Sequence, residues 1–432
     1  MSQFPFDAVV FDLDGTLFDA EEGIVSSVVK AMEELDLPIP PDADLRLVVG
    51  PPLRTSLREI LRVPEDRVED GVQRYLYNFY HEGRFRYRVY PGIRKVLYAL
   101  RKAGVHVALA SSKPAHTCEL ILNHFAMSHY FDVIMGEVDG KDKLGKPELI
   151  RRALPEKYSR AVMVGDRLFD VEGAKAAGVE SVGVSYGCGS VEELENAGAD
   201  HIVHSTEELF RLLCPGGEAP RGMFISMEGP DSSGKTTQAN RLEESLRQYG
   251  FDVLRTREPG GCPISEEIRG IILNKEHMEM SPICEALLYA ASRAQHVSQV
   301  IRPAVEEGRI VFSDRFVDSS VAYQGGGRQL GVGLVQQINQ PAVDGMLPDA
   351  TVYLDIDQAE AIRRRFSASE PDRLELAGDA FHRRVQAAYE ELLAQGDDRF
   401  IVVDAARDVE PIAQEILQRV LDRLEPDRKQ EA

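Results

Sequence analysis

Two sets of residues in this chain of 432 amino acids have types and spacings suited to phosphate chemistry. In the first half, Phe11-Asp12-Leu13-Asp14-Gly15-Thr16 carries two carboxylates straight after the apolar run Ala8-Val9-Val10-Phe11. Ser111-Ser112-Lys113-Pro114 follows a second apolar run, Lys146-Pro147 opens onto a helical pattern, and Gly165-Asp166 follows a third run with Asp170 one helical turn on. Three carboxylates brought to one spot repel each other unless a divalent cation lies among them, and an incompletely filled oxygen site suits Mg²⁺. In the second half, Gly229-Pro230-Asp231-Ser232-Ser233-Gly234-Lys235-Thr236, with Thr237 next, sets four residues between two glycines ahead of Lys and Thr. Small residues let backbone amides converge on phosphate oxygens, the Lys adds charge and the Thr hydroxyl can hold Mg²⁺.

The elements that must position these residues are legible as well. Phe224-Ile225-Ser226-Met227 reads as a buried strand entering the second motif, and 238–249 reads as a helix with Leu242 and Leu246 on one face. Strand and helix patterns alternate along most of the chain, which predicts two open, mainly parallel α/β sheets with helices on their faces. The stretch 214–222, Cys-Pro-Gly-Gly-Glu-Ala-Pro-Arg-Gly, has no periodicity and reads as a linker between domains over 1–213 and 223–432. Between Thr16 and about Val89 the pattern turns to amphipathic helix, with Ile24, Val28, Ala31, Met32 and Leu35 at helical spacing, a small helical cap over about 17–88. Gly325-Gly326-Gly327 reads as a flexible loop beside the second site.

Bulk properties narrow the class. The formal charge of -21 and a pI near 5.0 argue against non-specific binding to nucleic acid or an anionic membrane. Five Cys without a CxxC pair fit a reduced, cytoplasmic interior better than a disulfide framework. The polar start of the chain lacks a signal-peptide pattern, and no run approaches the roughly 18 apolar residues of a membrane span.

The ordered set Asp12, Asp14, Ser111, Lys146, Asp166 and Asp170 resembles the haloacid dehalogenase superfamily of phosphatases, over essentially all of 1–213. The resemblance implies a Rossmann-like core in which Asp12 is the nucleophile and Asp14 the acid/base. It implies further that Asp12, the Asp14 backbone carbonyl and Asp166 hold Mg²⁺, with Asp170 orienting the site, and that Ser111 and Lys146 bind the transferring phosphoryl group. The cap, with Tyr90-Pro91-Gly92 restarting the core, looks like the phosphoglycolate phosphatase and 5′-nucleotidase branch. Arg54 in Gly50-Pro51-Pro52-Leu53-Arg54 either reaches into the site or is a solvated residue after a turn. Taken singly, each Asp reads as a helix cap or turn residue; only the set carries the inference.

From Met223 onward, the phosphate loop, Thr256-Arg257-Glu258-Pro259-Gly260-Gly261, Arg269, Tyr289 with Arg293, Asp314-Arg315-Phe316, Ser319 to Gly325 and Asp372-Arg373 together resemble a thymidylate kinase. That implies a nucleoside monophosphate kinase fold with ATP as phosphate donor bound by 229–237 and Lys235 as a catalytic cation. It also implies that Tyr289 stacks on thymine, Arg293 bonds its carbonyl, and Ser319 and Ser320 line the base edge, with Gln324 among the dTMP-binding residues. Arg269 and Arg315 would hold the monophosphate, Tyr323 would exclude a ribose 2′-hydroxyl, and Asp231 would lie near the acceptor sugar or metal. Such kinases supply a catalytic Arg from the phosphate loop or lid; here Ser232 and Ser367-Ala368-Ser369-Glu370 stand in those places, leaving Arg364 or Arg365 upstream as the donor. The expectation is a fused phosphatase and dTMP kinase, a homodimer through the kinase half, acting on small nucleotides and a phosphomonoester. The alternatives are one domain that binds nucleotide without turnover, or a kinase for another nucleoside monophosphate.

Overall fold

The computed structural model describes residues 4–50, 53–138, 143–357, 374 and 377–426. The chain divides into two compact units that meet in sequence at Pro220 and Arg221.

The first unit is built on a parallel sheet of six strands: β1 (Ala8–Phe11), β4 (His106–Pro114), β5 (Val133–Glu137), β6 (Ala161–Gly165), β7 (Glu180–Val184) and β8 (His201–Val203), in the order β5-β4-β1-β6-β7-β8. Strand order reverses at β1, between β4 and β6. The strands on both sides of that switch point diverge at their carboxyl ends and leave a crevice there. The sequence accepts this central place because Val9, Val10 and Phe11 are apolar on both faces and fully buried, as a strand covered by helices on each side must be. Val10 packs with Ala108, Met163, Leu149 and Ile150, which ties the sheet to the helix Lys146–Ala153. A two-stranded stem, β2 (Phe18–Asp19) against β3 (Arg88–Val89), leads to the helices Glu21–Glu34 and Val68–His81, where the helical cap was expected.

The second unit repeats the plan with β9 (Phe224–Glu228), β10 (Val253–Arg257), β11 (Ile310–Asp314), β12 (Ala350–Asp355) and β13 (Phe400–Asp404), in the order β10-β11-β9-β12-β13, all parallel. The phosphate loop leaves the central strand and enters the helix Lys235–Gln248, which starts before the expected Gln238 because the loop glycines end at Gly234.

The expected loop at Gly325-Gly326-Gly327 is instead the end of a π-helical turn, Val321–Gly327, packed against the helix Asp379–Ala394. A Cβ built at Gly326 would lie 2.5 Å from Ala388 Cβ and 2.9 Å from the Arg384 carbonyl oxygen, and one at Gly327 would lie 2.5 Å from the Phe381 ring. Gly326 and Gly327 thus permit close helix contact rather than mobility. Gly326→Ala is therefore expected to cost about 1–3 kcal/mol through overpacking, visible as a drop of several degrees in the thermal midpoint of this unit. An unchanged midpoint by calorimetry would mean that the two helices separate freely.

Candidate active sites

In the first unit three adjacent strands deliver the chemistry. Asp12 follows β1, Ser111 lies in β4, and Asp166 follows β6, with Asp170 in the first turn of the helix Leu168–Ala177. One oxygen each of Asp12, Asp166 and Asp170 lies within 4.8 Å of the others. Lys146 Nζ donates to Asp12 Oδ1 at 2.5 Å and pairs with Asp170 Oδ1 at 2.6 Å. The second oxygen of Asp170 accepts from the Arg167 backbone N–H at 3.1 Å, so this carboxylate is held from both sides. Asp166 differs: Oδ2 accepts from the Cys188 N–H at 2.8 Å, while Oδ1 is sealed from solvent with no protein donor.

Electrostatics agree with that geometry. Burial, reinforced by the charges of Asp170 and Asp12, pushes Asp166 up to about 8. Burial likewise pushes Asp12 up to about 7, outweighing the pull of Lys146. Lys146 loses to burial but gains more from Asp12 and Asp170, which keep its ammonium protonated. A cluster of three buried carboxylates around one ammonium, with an orphaned carboxylate oxygen, is short of positive charge and fits a hard divalent cation.

Two further outcomes concern residues around the cluster. Lys113, which lies in the quoted Ser111-Ser112-Lys113-Pro114 motif but drew no role there, forms an ion pair with Asp14 and sits 5.6 Å from the centre of the Phe79 ring. Its signal was present: a cation two residues beyond Ser111 in the same strand. Arg54 pairs with Glu69 at 3.0 Å on the surface of the cap, so of its two readings the solvated one holds. Ser111 is buried, its Oγ accepting from the Lys113 N–H at 3.3 Å.

In the second unit a cavity of about 160 Å³ is lined by Asp231, Arg269, Tyr289, Arg293, Arg315, Ser319, Ser320, Tyr323 and Gln324 among others. Arg315, just past β11, binds Asp231 of the phosphate loop, Ser319 Oγ at 3.0 Å and Tyr323 Oη at 3.2 Å; Tyr323 in turn donates to Asp231 Oδ2 at 3.0 Å. Tyr289 and Arg293 lie one turn apart on the helix Pro282–His296 and face the same cavity. Arg293 is fully buried and donates to Glu258 Oε2 at 2.7 Å, to Ser320 Oγ at 3.2 Å and to Asn339. Ser319 therefore sits at the Arg315 end and Ser320 at the Arg293 end. Arg269 donates to the Pro259 carbonyl at 2.6 Å.

Glu228, the last residue of β9, stands directly before the phosphate loop. Its carboxyl accepts from the Phe316 N–H, Ser319 Oγ and Tyr389 Oη at 2.7, 2.6 and 2.8 Å. Burial, then the charge of Asp318, pushes Glu228 up to about 7. Lys235 folds back on the Gly229 and Pro230 carbonyls at 3.1 and 2.7 Å, and burial together with Arg315 pulls it down to about 8. Asp231 goes the other way: Arg315 and Lys235 overcome burial and lower it. Thr236 and Thr237 are exposed on the first turn of the helix. Ser232 and Arg315 both hold left-handed backbone, φ 66° and 68°, a strain of about 1–3 kcal/mol each that clusters at functional sites. Glu228 was not singled out from sequence, its signal being an acid that ends a buried strand, and Glu258, though within the quoted Thr256–Gly261 motif, drew no role there. Arg364 and Arg365, with Ser367 to Glu370 and Asp372-Arg373, lie outside the described residues.

Comparison with known proteins divides along the same line. Residues 227–416 match the family model for thymidylate kinase, and 9–184 match that for haloacid dehalogenase-like hydrolases. The thymidylate kinase of Leifsonia xyli subsp. xyli is 52% identical over 196 residues, which is 45% of this chain and 92% of that protein. The one from a Geobacillus species is 48% identical over 207 residues, 48% of this chain and 99% of that protein. A predicted phosphatase of known structure from Clostridium acetobutylicum is 41% identical, covering 48% of this chain and 97% of that one, with a TM-score of 0.44. With these thymidylate kinases matched along nearly their full length, and with the hydrolase family model lying wholly ahead of them, the chain belongs to the thymidylate kinase family and carries a haloacid dehalogenase-like hydrolase domain in front of its kinase domain.

Proposed function

We propose that the second unit transfers the γ-phosphoryl group of ATP to dTMP, giving dTDP, and that the first unit hydrolyses a phosphomonoester through a phosphoryl group carried on Asp12. The observation that carries the kinase reading is one cavity lined by a loop Asp, by Arg269 and Arg315, and by a Tyr–Arg pair one helical turn apart.

In this reading the amides of 229–234, Lys235, Thr236 and Thr237 hold the ATP phosphates, and Arg315 and Arg269 grip the acceptor phosphate through planar forks. Tyr289 stacks on the base, Arg293 and Gln324 read its edge, Ser319 and Ser320 line the pocket, and Tyr323 lies against the deoxyribose. An oxygen of the acceptor phosphate attacks the γ-phosphorus as the bond to ADP breaks, with Arg364 as the proposed lid cation. In the first unit an Asp12 oxygen attacks phosphorus, the ester P–O bond breaks, and Asp14 protonates the departing alcohol. Asp14 then takes a proton from water, which releases inorganic phosphate and restores Asp12. Ser111 and Lys146 would hold the phosphoryl oxygens. Asp12, Asp166 and the Asp14 carbonyl in the first unit, and Thr236 in the second, would hold Mg²⁺, which would supply neutralisation of phosphoryl charge.

Other features support the wider reading. Exposed Ile283 and Leu287, one turn apart on the helix Pro282–His296, and Ile264 and Ile271 on the neighbouring helix Pro263–Leu273, favour a homodimer through the second unit. Free cysteines throughout favour a reducing, cytoplasmic setting. Among the described residues no helix is long and apolar enough to cross a membrane.

Three outcomes test these assignments. Lys235→Ala is expected to lower kcat/KM for dTDP formation by roughly a hundredfold or more while the fold survives; wild-type turnover of the variant in a coupled assay would remove Lys235 as a catalytic cation, and wild-type protein that forms no dTDP from ATP and dTMP would reject the kinase assignment. Asp12→Asn should abolish release of inorganic phosphate across a screen of nucleoside monophosphates, phosphoglycolate and sugar phosphates, and leave dTDP formation intact. Persistent hydrolysis would remove Asp12 as nucleophile. Lys235 stands near 8 in the free protein, and phosphate charge beside it favours its protonated form. ATP binding at pH 8 should therefore take up roughly half a proton and weaken as pH rises through that value. Calorimetry in two buffers of different ionisation enthalpy measures the uptake, which Lys235→Met should remove.

A further inference from the structure

A third residue shares the helical face of Tyr289 and Arg293. Glu285 stands one turn before Tyr289, so the three recur at i, i+4 and i+8. It is fully buried. Its Oε1 accepts from Gln324 Nε2 at 2.9 Å and from Arg328 Nε at 3.2 Å, and its Oε2 accepts from an Arg328 terminal nitrogen at 3.1 Å. Arg328 is itself fixed: its guanidinium lies 4.9 Å from the centre of the Phe381 ring, and its backbone N–H donates to the Tyr323 carbonyl at 2.9 Å.

A carboxylate forked by a guanidinium only accepts hydrogen bonds, so the amide group facing it must be the NH₂ of Gln324. The amide oxygen is thereby turned the other way, and Gln324 is a wall residue of the cavity. An oxygen presented to a pyrimidine edge accepts from the N3–H of thymine or uracil but meets a lone pair on N3 of cytosine. We infer that Glu285, clamped by Arg328, is a positioning residue that sets the amide of Gln324 with its oxygen toward the base and so selects pyrimidines bearing an N3–H. This rests on the reading of the cavity as the acceptor nucleotide site. The selectivity resides in a group that never touches the base, because a free glutamine amide turns over at little cost and would serve either pyrimidine.

The test uses the full-length protein, with dissociation constants for dTMP and dCMP from calorimetry and steady-state kinetics with ATP. Glu285→Gln removes the acceptor-only partner and lets the Gln324 amide reverse. The preference for dTMP over dCMP, as a ratio of kcat/KM values, is expected to fall by about tenfold or more. KM for dTMP should rise while kcat stays within about threefold, since the contacts to Arg315 are untouched. Arg328→Gln should move the ratio the same way by less. A Glu285→Gln protein with wild-type circular dichroism and ATP affinity that keeps the wild-type preference overturns the inference. If that variant does not fold, Arg328→Gln decides by the same criterion. Wild-type protein that transfers phosphate to neither acceptor removes the acceptor-site reading and this inference with it, whereas dTMP turnover with unmoved selectivity in the variants removes the inference alone.

Discussion

Charge buried at the carboxyl end of a parallel strand has to be compensated by other protein groups or by a ligand, and both units are organised around that requirement. In the first, Asp12, Asp166 and Asp170 crowd within 4.8 Å, and Lys146 answers only part of their charge. In the second, Arg315 and Lys235 are brought against the phosphate loop with Asp231 as the nearest acid. Each arrangement leaves a residue of one sign: negative in the first, which a divalent cation would answer, and positive in the second, which phosphates would answer. The same switch-point topology therefore serves two opposite electrostatic problems.

The net charge of the chain is a poor guide to either site. A formal -21 describes a surface seen through salt, where interactions fade beyond about 8–10 Å. Inside the cavity of the second unit the relevant distances are near 3 Å, so a few guanidinium groups outweigh the global balance there. Each of these groups is tethered. Arg293 leans on Glu258, Arg315 on Asp231 and Arg328 on Glu285, so that the cations are oriented before any nucleotide arrives. Pre-orientation of this kind lowers the ordering cost of binding.

Much of this was legible in the chain because it lies in local patterns. Asp12, Asp166 and the loop 229–236 each follow an apolar run that can only be a buried strand, and a polar residue at the end of such a run projects into the crevice. The cap helix Glu21–Glu34 followed from the spacing of Ile24, Val28, Ala31 and Met32. What escaped was set by partners distant in sequence. Nothing near Arg54 says that Glu69 will hold it on the surface. Gly325 to Gly327 read as slack because glycine is permissive, yet the helix Asp379–Ala394 presses against Gly326 and Gly327 and makes their missing side chains a packing necessity. Lys113 and Glu285 sat beside recognised residues, at strand and helix spacing, but their roles needed Asp14 and Gln324 to be brought to them.

By itself the sequence determined the class of chemistry: which residue types stand at strand ends, how many residues separate the loop glycines, and that two such constellations follow one another in one chain. Those are short-range facts, set by strand and helix periodicity and by the reach of a few peptide units. Only the tertiary structure decided how each charge is answered, which carboxylate oxygen is left without a donor, and which way an amide turns. The physical reason is that burial and hydrogen bonding over a few ångströms depend on residues far apart in the chain, and at those distances the identity of the neighbour outweighs any local preference.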